Sequence, residues 1–342
     1  MRTVGLIVNP IAGKDIRRLV TSAGHTSDST KIGIIRRVIA GAVEGGASRV
    51  LIADDPHHLG WRAMEGLALP VEVVDAPVEG SRRDTVAAAA LMCRADVGAL
   101  VVLGGDGTCR DVASGWPDAP LIALSTGTNN VYPATIDATS AGCAAGFVAS
   151  GAVELEGFSQ RSKRVSVRID NGSSTIDGSA TLNDLALVDV AMIDTAFVGS
   201  RAVLDPATVR VVLACIASPS STGLSSIAGR VHAVGRWAPG GVLVTLGPGG
   251  RPIRVPLSPG TFTTVEVIEV TPLAEGQRVT LPGPGVLAFD GERDRRIGDE
   301  MTVSAAVELS GPVLIDVDAT LVEATRRGLF DVSANVERLC AQ

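Results

Sequence analysis

Three glycines surround one acid in the stretch Leu100-Val101-Val102-Leu103-Gly104-Gly105-Asp106-Gly107-Thr108. The apolar residues read as a buried strand, and the chain after the glycines takes a helical pattern. A glycine turn between strand and helix lets backbone N–H groups approach an anion closely. In an open α/β sheet, ligands bind at the carboxyl ends of the strands, where this turn would lie. Such a loop can cradle phosphate groups with one carboxylate beside them. A plainer reading has Asp106 capping the helix, since aspartate is among the best N-cap residues. Capping asks for one Asp and at most one Gly, so three glycines favour the ligand reading. Two familiar phosphate loops are excluded. Gly13-Lys14 lacks the following Ser or Thr and the upstream Gly of a Walker A loop, and Gly104-Gly105-Asp106-Gly107 lacks GxGxxG spacing.

Positioning that loop requires a parallel sheet, and the first 150 residues have the alternation that builds one. Strands are predicted over 3–8, 49–53, 71–74, 98–103 and 121–124. Ile32, Ile35, Val38, Ile39, Ala42 and Val43 recur at helical spacing until Gly45-Gly46 stops them. Ser81 with Asp84 predicts a capped helix running to about residue 94. Beyond residue 158 the pattern changes to short strands: 165–169, with a hairpin at Asn171-Gly172, then 181–188, 209–216, 231–234, 242–246, 265–270, 286–289 and 301–309. Gly/Pro-rich turns are expected at 247–250 and 282–285. A strand over 313–317 and a helix over 319–327 end the pattern. The fold expected is α/β: an N-terminal parallel-sheet domain over 1–157, completed by 312–342, and a mostly-β domain over 158–311.

The composition agrees. At 342 residues and 35.0 kDa the chain is long enough for two domains. It is 46% hydrophobic but has only six Phe, three Trp and one Tyr, so the core must be layered Val, Ile, Leu and Ala. A net charge of -7 offers no general attraction to nucleic acid or to an anionic membrane. No apolar run is long enough for a membrane span, and Asn9-Pro10 interrupts the only stretch near the N-terminus that could begin a signal peptide. Five scattered cysteines with no CxxC pair point to a reducing cytoplasm, and four histidines are too few for a metal cluster. The arginine pairs, Arg82-Arg83 among them, read as solvated helix faces. Arg293, Arg295 and Arg296 are the arginines best placed to meet a substrate phosphate.

Leu103 to Thr108 resembles the GGDGT motif shared by NAD kinases and by diacylglycerol and sphingosine kinases. In that superfamily the loop touches nucleotide phosphates, so Gly104, Gly105, Gly107 and Thr108 inherit that contact. The aspartate of NAD kinases activates the acceptor hydroxyl, and the resemblance gives Asp106 that role. Other segments match in order. Val8 to Gly13 resembles the NPxxG turn of the lipid-kinase branch, with Asn9 facing the phosphates. Ser125-Thr126-Gly127-Thr128-Asn129-Asn130 resembles its GTGND-type loop, with Asn in place of the acid. Asn183-Asp184 resembles the NE or ND pair of NAD kinases. Ser221-Thr222-Gly223-Leu224-Ser225 resembles their GSTxYxxS turn, with Leu224 where an aromatic is usual. Asp290-Gly291-Glu292 resembles the DGE motif of both branches. Alone, each segment also reads as an ordinary loop or strand edge; their order carries the resemblance. The whole is most similar to the acetoin catabolism protein X family, classed as ATP-NAD kinase-like.

The resemblance implies phosphoryl transfer from ATP or polyphosphate to a hydroxyl of NAD or a related small molecule, with Mg²⁺ as the cation. Asp106 would accept the hydroxyl proton or hold Mg²⁺, Asn183 and Asp184 would orient a ribose or other diol, and Glu292 with Asp290 would form a second base or metal position. It also implies a homo-oligomer, dimer or tetramer, joined through the β-rich half. Three readings stay open: an NAD kinase, a kinase of another small hydroxylated metabolite or lipid, and a nucleotide-binding regulator without turnover.

Overall fold

The computed structural model describes residues 2–13, 26–126, 130–171, 181–195 and 205–331. Strand and helix alternate through its first part as β1 (Thr3–Val8), α1 (Asp28–Glu44), β2 (Arg49–Ala53), α2 (Leu59–Met64), β3 (Val71–Val74), α3 (Arg82–Arg94), β4 (Ala99–Gly104), α4 (Asp106–Gly115), β5 (Pro120–Ser125) and α5 (Ala138–Ser150). Local hydrogen bonds set the helix starts. Ser27 accepts from the Thr30 N–H ahead of α1, and Ser81 with Asp84 forms the expected capping box on α3. Sequence periodicity misses α5 because nearly every position from Ala138 to Val148 is buried. The polar face that would reveal a helix is therefore absent.

The five strands pair in parallel in the order β3-β2-β1-β4-β5. The chain runs outward from β1 to β3, then returns to lay β4 against the other side of β1. Strand order thus reverses between β1 and β4, which opens a crevice at their carboxyl ends. Both faces of the sheet are covered. Val4, Leu6 and Val8 pack with Ile35, Val38 and Ile39 of α1, while Ile7, Leu100 and Val102 pack with Ala88, Ala89 and Met92 of α3 on the opposite side.

The remaining elements are β6 (Ser159–Arg161), β7 (Arg164–Asp170), β8 (Thr181–Ala186), β9 (Asp189–Ile193), β10 (Val209–Ala214), α6 (Leu224–Gly229), β11 (Gly241–Ser258), β12 (Thr261–Leu273), β13 (Arg278–Leu281), β14 (Gly285–Phe289), β15 (Glu292–Ile297), β16 (Thr302–Glu308), β17 (Val313–Ile315) and α7 (Val317–Arg326), with a short 3₁₀ turn before β10. β17 joins the first sheet in parallel beside β5, with β6 antiparallel beyond it. The others form an antiparallel sheet in the order β12-β11-β10-β9-β14-β15 and a four-stranded one, β13-β16-β7-β8. One apolar core runs without a break from Leu100, Val102 and Tyr132 into Val165, Leu187, Leu213 and Phe289. The two halves are thereby fused through packed side chains.

Several expectations change. The predicted strand 181–188 breaks into β8 and β9 at Leu187-Val188, where the Asp290 carboxylate accepts both amides. Residues 247–250 are no turn. They lie inside β11 as an irregularity in its pairing with β12, so the glycines bend a long strand rather than end it. No strand forms at 231–234; only Val234 bridges, to Ala217. β15 was not anticipated because its sequence, ERDRRI, is charged, which suits an edge strand. Gly172 of the predicted hairpin lies outside the described residues. Among those described, no helix is long and apolar enough to cross a membrane.

Candidate functional site

A cavity of about 480 Å³ lies at the point where the strand order reverses. Its floor comes from the turns after β1 and β4, held together by side chains buried beneath them. The Asn9 N–H donates to the Leu103 carbonyl, and the Asn9 Nδ2 donates to Thr108 Oγ1 at 2.8 Å. Asn9 Oδ1 accepts from the amides of Ile11 and Ala12 at 3.0 and 3.2 Å, folding the turn back on itself. Beneath that turn is a residue not singled out from the sequence. Lys31, fully buried, donates from Nζ to the carbonyls of Asn9, Pro10 and Ala12 at 3.2, 2.6 and 2.8 Å. The signal was available: Lys31 falls on the buried stripe of α1 with Ile35, Val38 and Ala42.

The glycines of the second turn are required by close approach. A Cβ on Gly104 would sit 2.5 Å from the Thr108 side chain, and one on Gly105 would sit 2.9 Å from Asn130 Oδ1. Asp106 is not the helix cap; Gly105 is. The Asp106 carboxylate reaches instead to the segment after β5. The Val131 N–H donates to its two oxygens at 3.0 and 3.1 Å, and the Tyr132 N–H donates to Oδ1 at 2.8 Å. It is about nine-tenths buried yet lines the cavity. Asn130 completes that wall, donating to Ser125 Oγ at 2.7 Å.

The β-rich half supplies the opposite wall through Thr222, Gly223, Leu224, Ser225, Asp189, Asp290, Gly291 and Glu292. Glu292 faces Gly107 closely enough that a Cβ there would stand 3.8 Å from Glu292 Oε2. Asp290, in a left-handed conformation (φ 50°), accepts from the Leu187, Val188 and Asp189 amides. Burial pushes its carboxyl well above the usual carboxylate range, against the pull of the Arg110 guanidinium. Arg110 is itself buried, 5.5 Å from the centre of the Phe289 ring. Arg110 and Arg82 share Asp111 and Asp294: Arg82 donates to Asp111 at 3.0 Å and Asp294 at 2.7 Å, and Arg110 lies 3.5 Å from Asp294. Arg82 is thus a cavity residue rather than part of a solvated face. Burial raises the Asp111 carboxyl to about 6, with Arg110 and Arg82 opposing the rise.

Of the residues singled out from the sequence, Asn9, Gly105, Asp106, Gly107, Thr108, Asn130, Thr222, Gly223, Asp290, Gly291 and Glu292 line the cavity. Gly104, Ser125 and Thr126 stand directly behind it, Thr126 donating its N–H to the Gly104 carbonyl. Asn183 is exposed, Asp184 accepts from Arg295 at 3.4 Å, and Ser221 bonds to Ser218; none of the three is a lining residue. Gly127, Thr128 and Asn129 lie outside the described residues, as does the Arg293 side chain. Eight acidic side chains and two arginines are among the lining residues described. That hard-oxygen donor set suits Mg²⁺ rather than a soft metal. No three of the acidic, His or Cys side chains described are grouped to hold an ion by themselves. An Mg²⁺ ion held mainly by a polyphosphate would need only one or two protein carboxylates, and Asp106 and Glu292 line the cavity.

A family model described as the ATP-NAD kinase N-terminal domain matches residues 4–149, and one described as the acetoin catabolism protein X C-terminal domain matches residues 163–310. Acetoin catabolism protein X of Cupriavidus necator is 35% identical over 341 residues, covering 96% of this chain and 93% of that protein. An uncharacterized protein of Archaeoglobus fulgidus is 33% identical over 132 residues, 38% of this chain and 36% of that protein. Among solved structures, yeast NADH kinase complexed with NADH aligns with a TM-score of 0.54 at 14% identity, covering 97% of this chain and 87% of that one. It shares the fold. Sequence identity along nearly the whole length and a matching C-terminal domain place this chain in the acetoin catabolism protein X family, with an NAD kinase-like N-terminal domain.

Proposed function

We propose that the protein is a phosphotransferase that moves a phosphoryl group from ATP or polyphosphate to a hydroxyl of a small molecule in the cavity between its two halves. The observation that carries this reading is the Asp106 carboxylate, fixed by the Val131 and Tyr132 amides while lining a cavity at the strand-order reversal. Phosphoryl transfer asks a protein chiefly for positioning and for electrostatic stabilisation. The backbone from Gly105 to Thr108 and the Asn130 wall receive the donor phosphates. Arg82, with Arg110 buried beside it, supplies positive charge at the cavity wall, and Mg²⁺ carried with the phosphates would neutralise part of the remainder. The phosphoryl group leaves the donor's bridging oxygen for the acceptor oxygen, whose proton passes to Asp106 and then to solvent. The Val131 and Tyr132 N–H donors hold that carboxylate in one orientation at the cavity wall. Glu292, from the facing wall, orients the acceptor.

The acceptor is NAD or a smaller hydroxylated molecule, and the placement of Asn183 and Asp184 favours the second. An NAD kinase reading gives that pair the ribose, but here Asn183 is exposed and Asp184 is engaged by Arg295. Incubation with ATP or polyphosphate, Mg²⁺ and a panel of NAD, NADH, nucleosides and short polyols tests the reading, with nucleoside diphosphate release and phosphorylated product as readouts. Transfer to any acceptor that is abolished in Asp106→Asn supports it. Nucleotide binding without transfer to any member of the panel would favour a regulator.

A further inference from the structure

The two amides that hold Asp106 are themselves held from the other half of the molecule. Arg236, in the loop between α6 and β11, donates from Nη2 to the Val131 carbonyl at 2.7 Å and to the Tyr132 carbonyl at 2.8 Å. Its guanidinium lies 5.3 Å from the centre of the Tyr132 ring and 5.9 Å from that of Trp237. The same two residues thus point their N–H groups at Asp106 and their carbonyls at one cation. The loop that carries Arg236 is anchored in turn by Lys163 of the segment between β6 and β7. This lysine donates to the carbonyls of Gly235, Ala238 and Gly240 at 3.0, 2.7 and 3.1 Å. Tyr132 is buried and tied by its hydroxyl to Ser162 at 2.8 Å. Arg236 is not among the residues lining the large cavity, so it acts on Asp106 only through this peptide segment.

We propose that Arg236 is a positioning residue for the phosphoryl-transfer site: by fixing the Val131–Tyr132 segment from the carbonyl side, it aims the two N–H groups that set the Asp106 carboxylate. The Val131 carbonyl shares its peptide with the Tyr132 N–H, so the cation on that carbonyl also polarises this peptide and strengthens its N–H donation to Asp106. The consequence is architectural. The reacting carboxylate belongs to the parallel-sheet half, but its orientation is set from the β-rich half, so the site is complete only when the two are joined. Nothing in the sequence around Arg236 marks this role.

The activity arm of the test rests on the phosphotransferase reading; the spectroscopic arm does not. Arg236→Ala and Arg236→Lys are compared with the unaltered protein for kcat, KM, Tm and the ¹³C resonance of the Asp106 carboxyl, with Trp237→Ala as a control that keeps both hydrogen bonds. The expected result is a fall in kcat of about 10- to 100-fold in Arg236→Ala with KM changed less than about threefold, as a misplaced catalytic group gives. The Asp106 resonance moves in that variant, Arg236→Lys lies between it and the unaltered protein, and Trp237→Ala stays near the latter. An unmoved Asp106 resonance in Arg236→Ala would overturn the proposal. So would equal losses in the Ala and Lys variants that follow Tm alone. If Arg236→Ala does not fold, Arg236→Lys carries the same comparison. If the unaltered protein transfers no phosphate, the proposed function fails while the resonance still decides the role of Arg236.

Discussion

Two aspartates lining the same cavity from opposite halves, Asp106 and Asp290, are both held by backbone N–H groups, and the way they are held differs. Asp290, just after β14, accepts from consecutive amides, Leu187 to Asp189, at the junction leading into β9, the strand paired with β14. It is a staple within the β-rich half: it holds the corner where the chain passes from β8 of the four-stranded sheet into β9 of the six-stranded one, and burial raises its carboxyl far above the usual range. Asp106 accepts from a segment in a different loop, itself positioned by Arg236. A carboxylate fixed within its own half of the molecule serves the fold. One fixed across several elements has a position that the assembled molecule can tune, which suits a reacting group.

The comparison breaks most readily at Asp106. Asp106→Asn is expected to lower turnover by about 10² to 10⁴-fold and to leave the fold intact, because an amide oxygen still accepts from the Tyr132 N–H. Unfolding curves run beside activity assays measure both. Equal turnover in the variant would reduce Asp106 to a second staple. At Asp290 the expectation is inverted: Asp290→Asn acts on stability, and any loss of turnover follows the loss of folded protein.

The next effect is one of pH. Asp111, raised to about 6 by burial against the opposing pull of Arg110 and Arg82, keeps a proton in the folded state that the unfolded chain has already released. Its contribution to stability is complete below about pH 4, the ordinary carboxylate range, and is lost as pH rises to about 6. At ~1.4 kcal/mol per unit the contribution is about 2 to 3 kcal/mol. Denaturant unfolding at several values between pH 4 and 7 should show a fall with rising pH that Asp111→Asn removes. A parallel curve in the variant would mean that Asp111 is ionised throughout.

How far the sequence disclosed these differences follows from which interactions are local. β1, β2 and β3 match expectation residue for residue, and the capping box of α3 is present, because periodicity and capping are written within a few residues. The glycine loop was legible for the same reason. Arg236, Arg82 and Lys31 were not read as site residues, since each acts on atoms far along the chain: Arg236 on Val131 and Tyr132, Arg82 on Asp294, Lys31 on the Asn9 turn. Asn183 and Asp184 illustrate the converse. Their identities suit a ribose, but the register of β8 against β7, with Asn183 opposite Arg168, sets them away from the cavity. Register is not legible in a dipeptide.

Lys31 extends the comparison to a cation. Replacing it with Met leaves three carbonyls of the Asn9 turn without their shared donor, a cost of about 1 to 3 kcal/mol. Because that turn carries Asn9 to Thr108, nucleotide affinity should weaken as well, by about tenfold. Thermal unfolding and calorimetric titration with nucleotide separate the two. A loss of stability with affinity intact would show that the turn keeps its shape without the lysine.

The smallest expected effect lies at Asn183. With its side chain exposed and off the cavity wall, Asn183→Ala should change neither KM nor kcat for the preferred acceptor by more than about twofold, as for a surface change away from special features. Asp184→Asn should cost about 1 kcal/mol or less, the range for a partly exposed ion pair such as the one with Arg295. The pair is nonetheless the sharpest discriminator of the acceptor. A dinucleotide whose ribose bonded Asn183 would make Asn183→Ala raise KM steeply for NAD while leaving the phosphate donor's KM unchanged. Flat kinetics toward NAD and a smaller acceptor alike would instead locate recognition on the Thr222 to Ser225 turn, where Leu224 offers an apolar contact and Ser225 a hydroxyl.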